Sequence, residues 1–199
     1  MKGASMTTTQ PPKPDFLTKP VLVGKQTILR PFSADDTDAM TMAINDPEVV
    51  ILTGSDDSAV ISHKQLAEWY GSRNLQDDRL DLAITDRMTG ICCGEAVLNE
   101  YNATANSCNF RILIGPAGRG RGLGQEAVLL ILDHAFTFLG LHRVELEVLA
   151  FNPRARHIYE KAGFRIEGVR REVIRTKDGW ADAIIMAILD HEWLRMKPV

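Results

Sequence analysis

The stretch Gly115–Ala127, GPAGRGRGLGQEA, packs five glycines and two arginines into thirteen residues. An apolar run, Phe110-Arg111-Ile112-Leu113-Ile114, leads in, and a helical pattern leads out. Glycines between a strand and a helix make room for a phosphate. The helix N-terminus presents unpaired N–H groups and a partial positive charge. Without a Cβ the backbone closes on the anion, and Arg119 and Arg121 can add charge and hydrogen bonds. The plain alternative is a Gly-rich surface turn with solvated arginines. The P-loop pattern needs Lys-Ser/Thr after the glycines, and none follows. Gly122-Leu-Gly-Gln-Glu-Ala127 matches the dinucleotide fingerprint, and Glu145 and Glu147 follow about 20 residues on. That fold repeats βαβ units, however, and only one is visible here.

Outward from the loop, the apolar positions Leu123, Ala127, Leu130, Ile131, Ala135, Phe138 and Leu139 mark one face of a helix over 122–139. Gly140 ends it. Arg143–Leu149 alternates as a strand, and Asn152-Pro153 opens a short helix that Gly163 closes. Upstream, 21–30 reads as two short strands around Gly24-Lys25, 33–44 as a helix stopped by Asn45-Asp46-Pro47, and 63–72 as another helix. Residues 79–86, 91–99 and 108–114 read as strands, with a polar loop at 101–107. Residues 164–175 and 180–189 form a hairpin around Lys177-Asp178-Gly179. The order is α/β (α+β): a mostly antiparallel sheet with one strand–helix–strand crossover.

The bulk numbers suit one soluble domain. The chain has 199 residues, 45% hydrophobic and 25% charged, with a net charge of −3, which argues against a general nucleic-acid binder. Cys92, Cys93 and Cys108 are odd in number and form no CxxC pair, so they read as reduced thiols with no metal site. No apolar run approaches the roughly 20 residues that span a bilayer, and the N-terminus lacks the apolar core of a signal peptide. The expectation is a cytoplasmic protein. Residues 1–18 read as a disordered tail, with Met6 as the natural start and MKGAS as a cloning remnant; 19–199 reads as one domain.

A second block, LEVLAFNPRARHIYEKAGF at Leu146–Phe164, decides among the phosphate binders. Asn152, Ala155, Tyr159, Lys161, Gly163 and Phe164 resemble the N-x-x-A/S-x-x-x-Y-x-K-x-G-F-like block of the GNAT superfamily, specifically its RimJ/RimL-type branch. Arg119-Gly-Arg-Gly-Leu-Gly124 is similar to that family's Q/R-x-x-G-x-G/A pyrophosphate loop. The resemblance runs in order from about Leu80 to the C-terminal hairpin. It implies a twisted sheet with helices on both faces, whose strands 108–114 and 143–149 run parallel and splay apart. Acetyl-CoA would lie in the gap, its arm along Ile112, Leu113 and Ile114 and its pyrophosphate on Arg119, Gly120, Arg121, Gly122, Leu123, Gly124 and Gln125.

The resemblance also implies acetyl transfer to a primary amine, a protein N-terminus or a small molecule, by direct attack in a ternary complex. Tyr159 would protonate the leaving thiolate, a task suited to a phenol with a pKa of about 10. Asn152 would contact the CoA arm as well as cap its helix, and Ala155 would permit close approach. Relatives often carry Glu where this chain has Asn109, which cannot take a proton. Glu95 is the first replacement as general base, with Glu100 and Asp182 behind it. His134 reads as a core histidine, and Cys93 as no nucleophile for want of a His nearby. Trp69 and Tyr70 could wall the acceptor pocket or simply pack. Asp56, Asp57, Glu172 and Asp182 sit on segments expected to line the acceptor side. The missing Glu keeps a second class open, an acyl-CoA-binding module without turnover. Oligomeric state stays open between monomer and a homodimer through the C-terminal hairpin.

Overall fold

A computed structural model describes residues 13–54 and 60–197. The chain runs β1 (Leu22–Val23), β2 (Thr27–Arg30), α1 (Thr37–Ile44) after a 3-10 turn at Ala34–Asp36, α2 (Pro47–Thr53), α3 (His63–Arg73), β3 (Leu80–Asp86), β4 (Cys92–Asn102) and β5 (Ser107–Ile114). It continues through α4 (Leu123–Thr137), β6 (Arg143–Leu149), α5 (Pro153–Lys161), β7 (Arg165–Thr176), β8 (Gly179–Leu189) and α6 (Asp190–Met196). One eight-stranded sheet orders them β1-β2-β3-β4-β5-β6-β8-β7. Every neighbouring pair is antiparallel except β5–β6. The expected mixed, mostly antiparallel sheet with a central crossover is therefore the fold.

Strand alternation divides the core between two faces. On one, Cys108 and Phe110 of β5 and Val144, Leu146 and Val148 of β6 pack with Ala127, Val128 and Ile131 of α4 and Tyr159 of α5. On the other, Phe32, Met40 of α1, Leu66 and Tyr70 of α3, Ala83 and Cys92 form a smaller cluster that Leu113 joins. The parallel pairing is short. Only Ser107, Cys108 and Asn109 meet Arg143, Val144 and Glu145, and beyond them the strands part. The other edge of β6 pairs with β8 from Arg143↔Leu189 to Leu149↔Ala183 without a break.

Two helices went unread in the sequence. Asn45-Asp46-Pro47 does stop α1, but it also starts α2. Asp46 accepts from the Val49 N–H at 3.1 Å, with Pro47 in the first turn. At the end of β8 the Glu192 carboxylate accepts from the Leu189 N–H at 3.1 Å and opens α6. Phe138 leaves the expected α4 face and is 76% exposed, because the helix ends at Thr137. Near the expected boundary at residue 19, Phe16 is buried in the main core, and Lys19 Nζ donates to the carbonyls of Phe16, Gln76 and Arg79 at 2.6–2.7 Å. The segment just before residue 19 thus packs on the domain, while the tail expectation for 1–12 lies outside the described residues. Glu126, in the first turn of α4, accepts from the N–H groups of Lys25, Gln26 and Thr27 at 2.6, 2.8 and 2.7 Å.

Candidate active site

Where β5 and β6 part, a cavity of 590 Å³ opens, within the range of about 300–1,000 Å³ usual for small-molecule sites. One wall carries the glycine loop, Val128 of α4, and Asn152, Ala155, Ile158 and Tyr159. The other carries Val49, Leu52 and Thr53 of α2 with Glu95, Asn109, Arg111 and Glu147. The alternation of β5 and β6 explains this division. Residues 108, 110, 144, 146 and 148 point to the α4–α5 core, so 109, 111, 145 and 147 point the opposite way.

The glycine loop has the form an anion needs. Gly120 and Gly122 adopt φ of 70° and 79°, the left-handed region that costs any other L-residue strain, and a Cβ there would meet open space. At Gly124 a Cβ would come within 3.1 Å of Ile114. Gly122 is the N-cap of the fifteen-residue α4, so the first-turn N–H groups open at the cavity. Ile112, Leu113 and Ile114 line the cavity beyond the last β6 partner, so their β6-side edge faces the gap rather than a strand.

The two arginines differ. Arg119 lines the cavity, and its guanidinium is held by Asp46 and, at 2.8 Å, by Glu48. Glu48 also takes Arg154 of α5 at 2.5 Å, so α2 is tied to both the loop and α5. Arg121 does not line the cavity. It bonds the buried Asp86 at 2.5 Å and the Ala117 carbonyl at 3.1 Å, which holds the Asp86 carboxyl below its usual range. Leu123 is likewise turned into the core, leaving its backbone alone in the loop. Both arginines are thus paired within the chain. The sequence reading missed the carboxylates because they lie more than thirty residues upstream.

Tyr159 is buried, edge-on to Phe110 at 6.3 Å and to Phe164 at 5.8 Å. Burial pushes its phenol up, so it is protonated at neutral pH. The Asn152 side chain accepts from the Ala155 N–H at 3.1 Å while lining the cavity. Across the gap, Glu95 Oε2 accepts from Tyr70 Oη at 2.8 Å. Burial pushes the Glu95 carboxyl up; the Tyr70 hydrogen bond and Arg111 pull it back.

The remaining expectations divide. Asn109 lines the cavity and donates to Asn99 at 3.1 Å. Glu100, Asp182, Cys93 and Trp69 do not line it. Asp182 accepts from the Glu172 N–H at 2.8 Å, and Trp69 lies under Arg73 at 3.4 Å. Tyr70 packs rather than walls the pocket. Asp56 and Asp57 lie outside the described residues. His134 is a core residue: it is buried, stacks on Phe138 at 5.4 Å, and burial lowers its pKa. Among the described residues no cluster of His, Cys, Asp or Glu is arranged for a metal ion, and no helix is long and apolar enough to cross a membrane. The sequence reading also missed Glu147, which lines the cavity and pairs with Arg170, and the apolar residues of α2.

Residues 26–165 match the family description "Acetyltransferase (GNAT) domain". The spermidine N(1)-acetyltransferase of Vibrio cholerae is 31% identical over 133 residues, 67% of this chain and 76% of that protein. The [ribosomal protein bS18]-alanine N-acetyltransferase of Salmonella typhimurium is 34% identical over 120 residues, 60% of this chain and 76% of that protein. The crystal structure of the Vibrio cholerae spermidine N-acetyltransferase in complex with CoA and spermine superposes with a TM-score of 0.77 at 27% identity, over 86% of this chain and 99% of that one.

Proposed function

The chain belongs to the GNAT acetyltransferases, with acetyl-CoA as cosubstrate, and from that premise we propose that it acetylates a primary amine of a small polyamine-type cation. One observation carries the reading. The cavity between β5 and β6 has a glycine-and-helix wall suited to phosphates and an opposite wall bearing Glu95 and Glu147, suited to a cationic amine. The first-turn N–H groups of α4 receive the pyrophosphate, and the free edge of Ile112–Ile114 aligns the extended arm. When bound, acetyl-CoA supplies an activated acyl group.

An aliphatic amine with a pKa near that of Lys, about 10.4, arrives protonated at neutral pH. Glu95 takes that proton, and the freed nitrogen can then attack directly. Tyr159, from the other wall, gives its proton to the departing sulfur as the C–S bond breaks; the second proton, shed by the nitrogen as the amide forms, returns to the phenolate, and Glu95 passes the first to solvent. Acid and base thus face each other across the gap, as transfer without a covalent enzyme intermediate requires. A second reading rests on the ribosomal-protein relative: the acceptor is a protein N-terminal amine.

A thiol-release assay with acetyl-CoA against polyamines, N-terminal peptides, amino acids and aminoglycosides decides between them. Release with polyamines supports the first reading, and release confined to peptides replaces it with the second. Silence throughout, with acetyl-CoA still raising Tm, would point to a binding module without turnover.

A further inference from the structure

Behind the cavity wall, Tyr70 of α3 is 3% exposed and stacks on Phe32, ring centres 4.0 Å apart. Phe32 thus backs one face of the ring. That hydroxyl donates to Glu95 Oε2 at 2.8 Å, while Glu95 Oε1 has no hydrogen-bond partner among the described residues. Glu95 reaches the cavity and Tyr70 does not. From this geometry we infer that Tyr70 is a positioning residue for acetyl transfer: it clamps one carboxylate oxygen of Glu95 and leaves the other aimed at the incoming ammonium. The inference rests on Glu95 being the base.

The charged groups around Glu95 come from each packed element. Arg111 on β5 and Arg79 ahead of β3 favour its charge, Asp81 on β3 opposes it, and Arg73 on α3 senses it. Arg79 is itself committed to Asp81, at 2.7 and 2.8 Å. Tyr70 is thus the group whose O–H reaches Glu95 directly. Burial pushes the tyrosine phenol well up, so it stays a donor over the whole working range. A donor to a carboxylate stabilises the charged form, so its removal raises the pKa of Glu95.

The test compares the full chain with Tyr70→Phe, which keeps the Phe32 stack, and with Glu95→Gln. Carboxyl carbon-13 NMR follows Glu95 without any substrate, its signal assigned by its loss in Glu95→Gln. The Glu95 midpoint should rise by about one pH unit in Tyr70→Phe. With acetyl-CoA and spermidine as probes, the acidic limb of kcat/KM should rise with it, and the KM for acetyl-CoA should stay within about twofold. An unmoved midpoint, or an unmoved limb beside an inactive Glu95→Gln, overturns the role of Tyr70 alone. A Glu95→Gln variant with full rate overturns Glu95 as the base, and the inference with it.

Discussion

The two walls of the cavity are built from the same two strands and are opposite in character. On the α4–α5 side, β5 and β6 present apolar residues to the main core, and polarity comes from backbone N–H groups, Asn152, the Tyr159 hydroxyl and the paired guanidiniums of Arg119 and Arg154. On the α1–α3 side they present Asn109, Arg111 and Glu147, joined by Glu95. One side offers fixed dipoles and guanidiniums, and the other side carboxylates beside Arg111. The proposed reaction joins a polyanion to a cation and needs both, and strand alternation supplies them from one gap.

The largest test of this division is Tyr159→Phe. Removing a general acid should lower kcat by about 100-fold or more, with the Kd for acetyl-CoA within about threefold in calorimetry. Unchanged turnover would remove the tyrosine from the chemistry. Next come the two arginines. Arg119→Ala should weaken acetyl-CoA by about tenfold, since it removes a charged donor from the cavity, whereas Arg121→Ala should leave Kd within about twofold and lower Tm instead. Equal loss of affinity in both would break the distinction drawn from their partners. Gly122→Ala is smaller: a left-handed alanine costs about 1 kcal/mol, or about 2–4 °C in Tm. The smallest effect is expected at the thiols. Burial pushes Cys92 and Cys108 to about 12, so a thiol reagent at neutral pH should leave both intact until the chain unfolds.

Most of the fold was legible because its signals are local. The α4 face, the Asn152-Pro153 cap and the alternation of β6 each lie within one element, and the structure keeps them. Helix α2 was missed because Asp-Pro reads equally as a stop and a start, and α6 because its cap follows a strand directly. In the site, the glycines and Tyr159 could be placed from short motifs. The partners of Arg119 and Arg121 could not: Asp46 and Asp86 come from other elements, and only tertiary packing brings them together. Glu95 could be nominated from its strand, but its clamp comes from a helix twenty-five residues earlier.

Glu126 has a consequence for the whole end of α4 proposed to bind the pyrophosphate. A negative charge in the first turn would compete with a bound phosphate, but the N–H groups of Lys25, Gln26 and Thr27 absorb it. Burial works against its ionisation, yet those donors outweigh it and hold the carboxyl below its ordinary range. Its stabilisation is therefore complete above the unfolded value, about pH 4.3, and drains away as acid carries the pH down through the folded one. Those three amides should be protected from deuterium exchange as strongly as amides within a strand, and in acid all three protection factors should fall together. The helix end proposed to receive the cosubstrate is, in mechanical terms, moored to the first hairpin by a rope that acid unties.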